Sequence, residues 1–412
     1  MPSIETRTSW AIAFTAVVVM SIAYGAPFVA VVALKPIAAE LGSARSVPAL
    51  AYSLAWFGAA VGGLGMGRIA DRIGVRWTVA FGAVMIGLGL LVSAGSSTWR
   101  LWIGHGVFIG LLGNGGINAP LYVYVSRWFD RRRGTALALI SSGQYVAGAV
   151  WPSLFERGIA ALGWRHTMAW FALVEALAVV PMALLVLRDP PEASQPAFAA
   201  ARTHIAPRVL GLPANVTLAL LAVAAFACCV PMAMPQAHLV AFCSDLGIAP
   251  AHGAAMLSVL LACAFVSRQF WGWVSDRIGG LRTVLAGSLC QIMAMVGFML
   301  ANGETALFTV AIFFGLGFSG MIPAYVLAVR EMFPATEAAW RVPTLLLFSG
   351  SGMAAGGWLA GAIYDRFGFY EAAFGTGLAF NLVNLVIVGS LVLRLPQMLR
   401  PSFTVLGGSA ED

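Results

Sequence analysis

A loop of nearly the same sequence occurs twice in this chain, each time between long apolar segments. The first copy, G-R-I-A-D-R-I-G-V-R, begins at Gly67, and the second, G-W-V-S-D-R-I-G-G-L-R, begins 205 residues later at Gly272. A second pair of segments repeats at an offset of 203 residues, since P-L-Y-V at Pro120 matches P-A-Y-V at Pro323. The chain is therefore predicted to consist of two similar halves, an arrangement by which many membrane proteins build a site near the bilayer midplane.

The composition indicates that both halves lie in a membrane. Of the 412 residues, 60% are hydrophobic and only 10% are charged, with a mean hydropathy of +0.87, whereas a soluble chain carries about 25% charged residues. A helix needs roughly 20 apolar residues to cross a bilayer, and twelve runs of this length are present. They lie near residues 10–34, 47–68, 77–96, 101–126, 134–155, 166–187, 213–241, 254–275, 282–301, 305–329, 341–362 and 371–394.

These runs predict an all-α membrane protein in which twelve transmembrane helices form two pseudo-symmetric six-helix bundles. The bundles would comprise residues 1–188 and 213–412, and the Pro- and Ala-rich segment 189–212 would be a cytoplasmic linker loop between them. The first apolar run lacks a polar, small-residue cleavage site, so we expect a retained helix rather than a signal peptide.

The net charge of +7 follows from membrane topology rather than from a nucleic-acid partner. With an even number of helices both termini lie on one side, and 17 of the 24 Lys and Arg residues then fall on that side. Six fall on the other side, and one, Arg268, lies inside a span. Because basic residues concentrate in cytoplasmic loops, we expect both termini to be cytoplasmic and the protein to lie in a bacterial inner membrane.

The sequence offers no pattern for a metal, a cofactor or a catalytic centre. The five cysteines include no C-x-x-C pair, and the five histidines have no ligand spacing. H-E-x-x-H, G-x-S-x-G and phosphate-loop motifs do not occur. We therefore expect no cofactor, no bound metal and no enzymatic activity.

Each copy of the repeated loop places an aspartate at a helix end with arginines close by. Asp71 and Asp276 are predicted to cap the next helix and to pair with arginines of a neighbouring helix, as a latch that holds the halves together in one state and breaks in the other. The alternative is ordinary cytoplasmic loop charge. The loop resembles the signature loop of the major facilitator superfamily, which implies that fold for the whole chain and says little about substrate. The residues assigned to the latch are Asp71, Arg72, Arg76, Asp276 and Arg277.

Arg268 is a cation placed well inside an apolar run. It precedes Asp276, which marks the cytoplasmic end of its helix, by eight residues, so it lies roughly 12 Å inward. A guanidinium at that depth costs at least ~2.5 kcal/mol unless it is paired or faces water. Snorkelling to the interface and a structural salt bridge are the alternatives. Since the planar fork of an arginine matches a carboxylate, we predict that Arg268 binds an anionic substrate.

Three segments resemble a narrower family, the monocarboxylate porters, which include bacterial oxalate and lactate carriers. R-Q-F-W-G-W-V-S-D-R-I-G-G, from Arg268, is similar to the eighth-helix motif of that family. R-W-F-D-R-R-R-G-T-A, from Arg127, followed by S-S-G-Q-Y-V-A-G, is similar to its fourth loop and fifth helix. L-A-G-A-I-Y-D-R-F-G-F-Y-E-A-A-F, from Leu359, is similar to the end of its eleventh helix. The resemblance implies that Arg268 binds the substrate carboxylate.

Two positions depart from this family. Several relatives carry an acidic or amide residue one turn before the arginine, where this chain has Ala264. Oxalate carriers are expected to have a second cation in the eleventh helix, but this chain has no Lys or Arg between Arg341 and Arg366. One buried cation suits one carboxylate, which favours a monocarboxylate and leaves the proton-coupling residue unidentified.

Other polar residues inside the spans are candidates for the same site. Tyr122 and Tyr325 occupy matching positions of the repeat, and each is predicted to face the central cavity and to donate its hydroxyl to the anion. An interfacial or packing role is the alternative for both tyrosines. Three further candidates, for which interhelical hydrogen bonding is the alternative, are Asn114, Asn118 and Gln144.

Two residues near the outer ends of helices are candidates for proton or anion entry. His238 titrates near physiological pH when it is exposed, although a structural role is equally compatible with its position. Lys35, the single lysine of the chain, ends the first span and would attract anions; snorkelling is its alternative role.

The sequence as a whole predicts a carrier of small organic anions, most of all lactate- or pyruvate-like monocarboxylates, that works by alternating access. The expected partners are the carboxylate, a proton or counter-anion and the lipid bilayer, and the transport unit is expected to be a monomer. A dicarboxylate antiporter of the oxalate and formate type is the main alternative. A cationic-drug exporter is disfavoured because S-G-Q-Y-V-A-G-A-V-W-P, from Ser142, lacks the drug-antiporter glycine pattern. A non-transporting receptor would normally bring a soluble signalling domain.

Overall fold

The fold is a bundle of long helices that follows the predicted apolar runs closely. A computed structural model describes residues 5–129, 132–188, 208–301 and 303–395. We number the helical rods 1 to 12 in chain order. They are Arg7–Val32, Ser46–Ile73, Val75–Ser93, 98–126, 133–162, Trp164–Val186, Ala214–Asp245, Pro250–Ile278, Gly280–Leu300, Glu304–Met332, Ala335–Phe367 and Glu371–Leu393. The predicted all-α membrane fold is confirmed.

Ten of these rods are long and apolar enough to cross a bilayer on length and hydropathy alone, among the described residues. The other two, helices 4 and 5, are interrupted. Helix 4 consists of Thr98–Ile103, a π-helical stretch at Gly104–Asn114, and Gly115–Ser126. Helix 5 consists of Arg133–Ser141 and Gly143–Leu162. Breaks of this kind are tolerated in membranes where neighbouring helices satisfy the freed backbone groups.

Helices 1, 6 and 10 are interrupted as well, at residues 24–25, by a π-helical stretch at Glu175–Val179, and at residues 319–320. The remaining regular elements are short. Helix 1 is extended by a helical turn at Leu34–Glu40. Two-residue strands, Arg208–Val209 and Leu212–Pro213, form an antiparallel hairpin just before helix 7. Most of the predicted linker, residues 189–207, lies outside the described residues.

Glycine explains why each repeated loop turns where it does. Gly74 ends helix 2 with a φ of 91°, and Gly279 ends helix 8 with a φ of 82°. Most L-residues avoid this left-handed region, so glycine is the residue that permits the turn. The matched glycines of the two loop copies therefore have the same structural role.

Close helix packing accounts for many of the other glycines. A Cβ added at Gly62 of helix 2 would lie 2.0 Å from the carbonyl oxygen of Leu111 in helix 4. A Cβ added at Gly356 of helix 11 would lie 2.1 Å from the carbonyl oxygen of Val230 in helix 7. Small residues allow backbones to approach this closely where lipid supplies no hydrophobic driving force.

The first six helices meet the last six along two lines of contact. Helix 2 packs on helix 11, and helix 5 packs on helix 8. We call the face at which helix 1 begins and helix 12 ends the inner face, and the opposite one the outer face. Helix 8 therefore begins at the outer face and ends at the inner face, which places Arg268 in its inner half.

Candidate functional site

The central feature of the site is the guanidinium of Arg268. Its carbon lies 5.2 Å from the ring centroid of Tyr145 in helix 5. The Nη1 atom is buried, and it has no hydrogen-bond partner in the described part of the chain. A buried donor without a partner costs free energy, so this atom is placed to bind an acceptor from a ligand or from water.

Tyr145 joins the two halves of the molecule at this point. It belongs to helix 5 of the first half, whereas Arg268 belongs to helix 8 and Phe318 to helix 10 of the second half. The ring of Tyr145 is 4% exposed and stands edge-on to Phe318, with centroids 6.0 Å apart. Sequence reasoning missed Tyr145; the only signal was its place beside Gln144 in the fifth-helix motif.

Helix 4 contributes Tyr122 and Asn118 to the same region. The hydroxyl of Tyr122 lies within electrostatic range of Arg268 and close to Ser141. One turn away, Asn118 Nδ2 donates to the hydroxyl of Tyr24 at 2.6 Å, while its Oδ1 is buried without a partner among the described residues. Tyr122 and Asn118 are thus placed on one wall, with polar groups available to a ligand.

Asn114 and Gln144 are neighbours in sequence of residues at the site. Asn114 is 1% exposed, and its Oδ1 likewise has no partner in the described ranges. Gln144 is half-buried, and its side chain interacts with that of Tyr145. The structure therefore brings Tyr145 and Tyr122 close to Arg268, with Asn118 one turn from Tyr122 and Gln144 beside Tyr145.

Tyr325 differs from the expectation that it faces the cavity with Tyr122. It is fully buried, and its hydroxyl donates to Asn384 of helix 12. Asn384 in turn donates to the hydroxyl of Ser288 at 2.6 Å and to Asn381 at 3.1 Å. The repeat makes Tyr122 and Tyr325 equivalent in position, but the amides of helix 12 draw the hydroxyl of Tyr325 into the interior of the second half.

The two loop aspartates differ from each other at the inner face. Asp71 accepts a hydrogen bond from Arg127 Nη2 at 2.9 Å, so it pairs with a neighbouring helix as predicted, but inside its own half. Asp276 is exposed and has no partner among the described residues. At the start of helix 9, which Asp276 was predicted to cap, the backbone N–H of Gly280 donates to Glu331.

The arginines of the same loops lie on the surface. Arg76 lies over the ring of Trp77 at 5.4 Å, and Arg277 lies over Trp273 at 3.5 Å. Arg72 is exposed. Hence no ion pair between the two halves involves these loops in the described part of the chain, and the latch stays a prediction for another state of the protein.

Lys35 and His238 are both engaged at the outer face. The ammonium of Lys35 donates to Asp245 at 3.0 Å and to Ser244 at 2.9 Å, both at the end of helix 7. His238 is fully buried, with Nδ1 3.0 Å from the hydroxyl of Tyr370 and Nε2 2.8 Å from the carbonyl oxygen of Gly357. Neither side chain is free in this structure to receive an anion or a proton from outside.

A cluster of charges around Arg45 was not identified from the sequence. Arg45 Nη2 donates to Asp245 at 2.7 Å, and its guanidinium carbon lies 3.8 Å from the ring centroid of Tyr364. Burial lowers the pKa of Arg45, but its hydrogen bonds to Asp245 and Tyr370 outweigh this effect and hold the pKa above its usual value. The available signal was the position of Asp245 beside a predicted outer helix end.

The sequence profile of the Major Facilitator Superfamily matches residues 13–339 and 239–404. MFS-type transporter 1 of Ophiocordyceps sp. is 25% identical over 279 residues, which cover 66% of this chain and 60% of that protein. Monocarboxylate transporter 13 of Rattus norvegicus is 25% identical over 361 residues, covering 85% of this chain and 79% of the rat protein.

Among solved structures, a bacterial homolog of the human lysosomal transporter Spinster, in an inward-facing and occupied conformation, has the same fold. The TM-score is 0.75 at 14% sequence identity, and the match covers 95% of this chain and 98% of that one. On the match of the family profile across its length, the chain belongs to the major facilitator superfamily of membrane transporters.

Proposed function

We propose that the chain is a secondary active transporter of small monocarboxylates of lactate or pyruvate size, working by alternating access across a bacterial inner membrane. The observation that carries the proposal is the unpartnered, buried Nη1 of Arg268. A carboxylate presents two acceptor oxygens in one plane, which suit the fork of a guanidinium. The rat protein named as a monocarboxylate transporter supports the same substrate class.

The positively charged side chains of the protein favour a substrate with one carboxylate over a substrate with two. The arginine that is fully buried among the described residues, Arg341, is held by Glu337 at 2.7 Å and by Asn215 at 3.1 Å. Lys35 and Arg45 are both bound to Asp245 at the outer face. A dicarboxylate would therefore bring a second charge into the site with no free cation to receive it.

The placement of the site suits a mechanism in which the halves rock about the substrate. Arg268 belongs to the second half, while Tyr145, Tyr122 and Asn118 belong to the first. A carboxylate on Arg268 that also accepts from the hydroxyl of Tyr122 would attract both halves to the same ligand. It would also take the place of the Tyr145 ring as the partner of the guanidinium. Proton symport and anion exchange are both compatible with this cycle.

We assign this structure to the inward-facing state of that cycle. The halves are joined by ion pairs at the outer face, whereas the ion pairs Arg127–Asp71 and Arg341–Glu337 at the inner face each stay inside one half. In the proposed topology the inner face, with both termini, is cytoplasmic, so the site is reached from the cytoplasm. The proposed transport unit is a single chain.

The test is the removal of the guanidinium of Arg268. Arg268→Ala should abolish uptake of lactate-sized acids into proteoliposomes, and Arg268→Lys should restore little, because lysine keeps the charge and loses the fork. Loss of a hydrogen-bonded charge partner costs ~2–5 kcal/mol, or about 30- to several-thousand-fold in affinity. Binding is measured by thermal shift on purified protein with C2 to C6 mono- and dicarboxylates.

Arg157→Ala is the matched control, since Arg157 is an exposed arginine near the outer end of helix 5. It should bind and transport like the parent. If Arg268→Ala is folded and still binds a monocarboxylate with parental affinity, the anion site lies elsewhere. If the parent binds only dicarboxylates, the antiporter alternative replaces the monocarboxylate proposal.

A further inference from the structure

The outer face holds a group of contacts in which every donor comes from the first half and every acceptor from the second. Lys35 and Arg45 belong to the first half, and both donate to Asp245, the last residue of helix 7. The backbone N–H groups of Arg45 and Ser46 donate to the two carboxylate oxygens of Asp365 in helix 11, each at 2.9 Å. The carboxylates of Asp245 and Asp365 in the second half are thus bound by two cationic side chains and by backbone N–H groups at the start of helix 2, all from the first half.

The pair of Arg45 and Asp245 is partly withdrawn from water, whereas Asp365 is exposed and the side chain of Lys35 is 37% exposed. The side chains of Arg45 and Asp245 are 15% and 23% exposed. Tyr364 covers the guanidinium of Arg45, and the hydroxyl of Tyr370 accepts from it at 3.2 Å. Because screening by solvent falls as charges leave water, the ion pair of Arg45 and Asp245 is stronger than an ion pair on an open surface.

Tyr370, which contacts Arg45 from the second half, is itself fixed by a hydrogen bond to His238. Tyr370 is 1% exposed, and its hydroxyl lies 3.0 Å from His238 Nδ1. The other ring nitrogen of His238 is bound to the carbonyl of Gly357 in helix 11. His238 therefore links helices 7 and 11 and the start of helix 12 into one surface that receives Arg45.

A layer of close packing lies directly below the charges. A Cβ at Gly361 would lie 3.0 Å from the Cα of Ser46, and a Cβ at Gly357 would lie 2.9 Å from the hydroxyl of Ser53. Helices 2 and 11 are therefore in near-backbone contact just inward of Asp365. The charged group and this packed layer together close the outer face.

We propose that Asp245 and Asp365 form the outer gate of this transporter: they bind the first half through Lys35, Arg45 and the start of helix 2 in the inward-facing state and release it in the outward-facing state. An alternating-access carrier must break all of these contacts at once to open outward, since every one of them crosses between the halves. The gate thus sets the balance between the two states without touching the substrate.

The test measures the separation of the halves at the outer face. Spin labels are attached at Ala39→Cys in the first half and Ala251→Cys in the second, both exposed positions, in a variant whose five native cysteines are replaced. In this background a short distance by electron–electron double resonance marks the closed gate. Asp245→Asn and Asp365→Asn should each add a longer distance component, and the double variant should show it as the main one.

Glu304→Gln is the control, because Glu304 is also an acid of the outer face but pairs with His252 of its own half at 2.8 Å. It should keep the short distance. The conservative variant Asp245→Glu keeps a carboxylate that Lys35 and Arg45 can bind, so it should recover the short distance that Asp245→Asn loses, which separates loss of the gate from poor folding. Unchanged distances in the folded Asp245→Asn, Asp365→Asn double variant, or a longer distance in a folded Asp245→Glu variant equal to that of Asp245→Asn, would overturn the proposal.

Discussion

At the scale of single residues, the two repeat-related tyrosines show how one position acquires two environments. Tyr122 lies near Arg268 with its hydroxyl toward Ser141, whereas Tyr325 is buried and bonded to Asn384. The proposed site uses the first tyrosine and not the second. The same substitution should therefore affect binding at one position and stability at the other.

We expect Tyr122→Phe to weaken carboxylate binding about two- to tenfold, the loss of one hydrogen bond of ~0.5–1.5 kcal/mol. Tyr325→Phe should leave binding unchanged and lower stability by ~1–3 kcal/mol, because Asn384 would keep a buried acceptor without its donor. Affinity comes from ligand titration and stability from thermal unfolding of the two purified variants. Equal losses of affinity would show that Tyr325 does reach the ligand.

The residues that the sequence could identify are those whose burial is costly. Arg268 could be predicted because a cation inside an apolar run needs a reason to be there. Tyr145, Asp245 and Asp365 could not, since a tyrosine in a span or an acid at a helix end is ordinary. Their importance arises from partners about 120 to 320 residues away in sequence.

At the scale of helices, the apolar runs predicted twelve elements, and the structure places them within a few residues of the expected bounds. The π-helical stretches Gly104–Asn114 in helix 4 and Glu175–Val179 in helix 6 were not predicted, because a π-helical stretch has no period of its own in the sequence. Which helices touch could not be predicted either. Glycines in spans indicate close packing in general, but only the fold assigns Gly356 to Val230 and Gly62 to Leu111.

Two glycines inside long helices should therefore respond differently to alanine. Gly356→Ala puts a Cβ 2.1 Å from a backbone oxygen of helix 7, so helices 7 and 11 must separate, at a typical cost of ~1–3 kcal/mol. Gly272→Ala in helix 8 meets no atom within 4 Å and should leave stability unchanged or raise it by up to ~1 kcal/mol. Thermal unfolding in one detergent compares the two, and a Gly356→Ala variant as stable as the parent would contradict the packing argument.

At the scale of the whole molecule, ion pairs connect the two halves at the outer face, whereas the loop aspartates at the inner face make no ion pair between the halves within the described residues. The outer face is closed by contacts from Lys35 and Arg45 to Asp245, while Asp276 at the inner face is exposed and has no partner in the described chain. Alternating access requires this relation to reverse when the carrier opens outward. An unpaired acid at the inner face is therefore available to pair in the other state, which is where the predicted latch belongs.

We expect Asp276→Asn to slow uptake while leaving substrate affinity unchanged, because Asp276 is remote from Arg268 and would act only when the inner face closes. Asp71→Asn should also slow uptake, with an added small loss of stability, because Asp71 already holds Arg127 at 2.9 Å. Such an exposed pair contributes only ~0–1 kcal/mol. Initial uptake rates in proteoliposomes, together with ligand affinity in detergent, separate the two effects. Parental uptake rates in both variants, at normal expression, would reduce the repeated loop to a marker of topology.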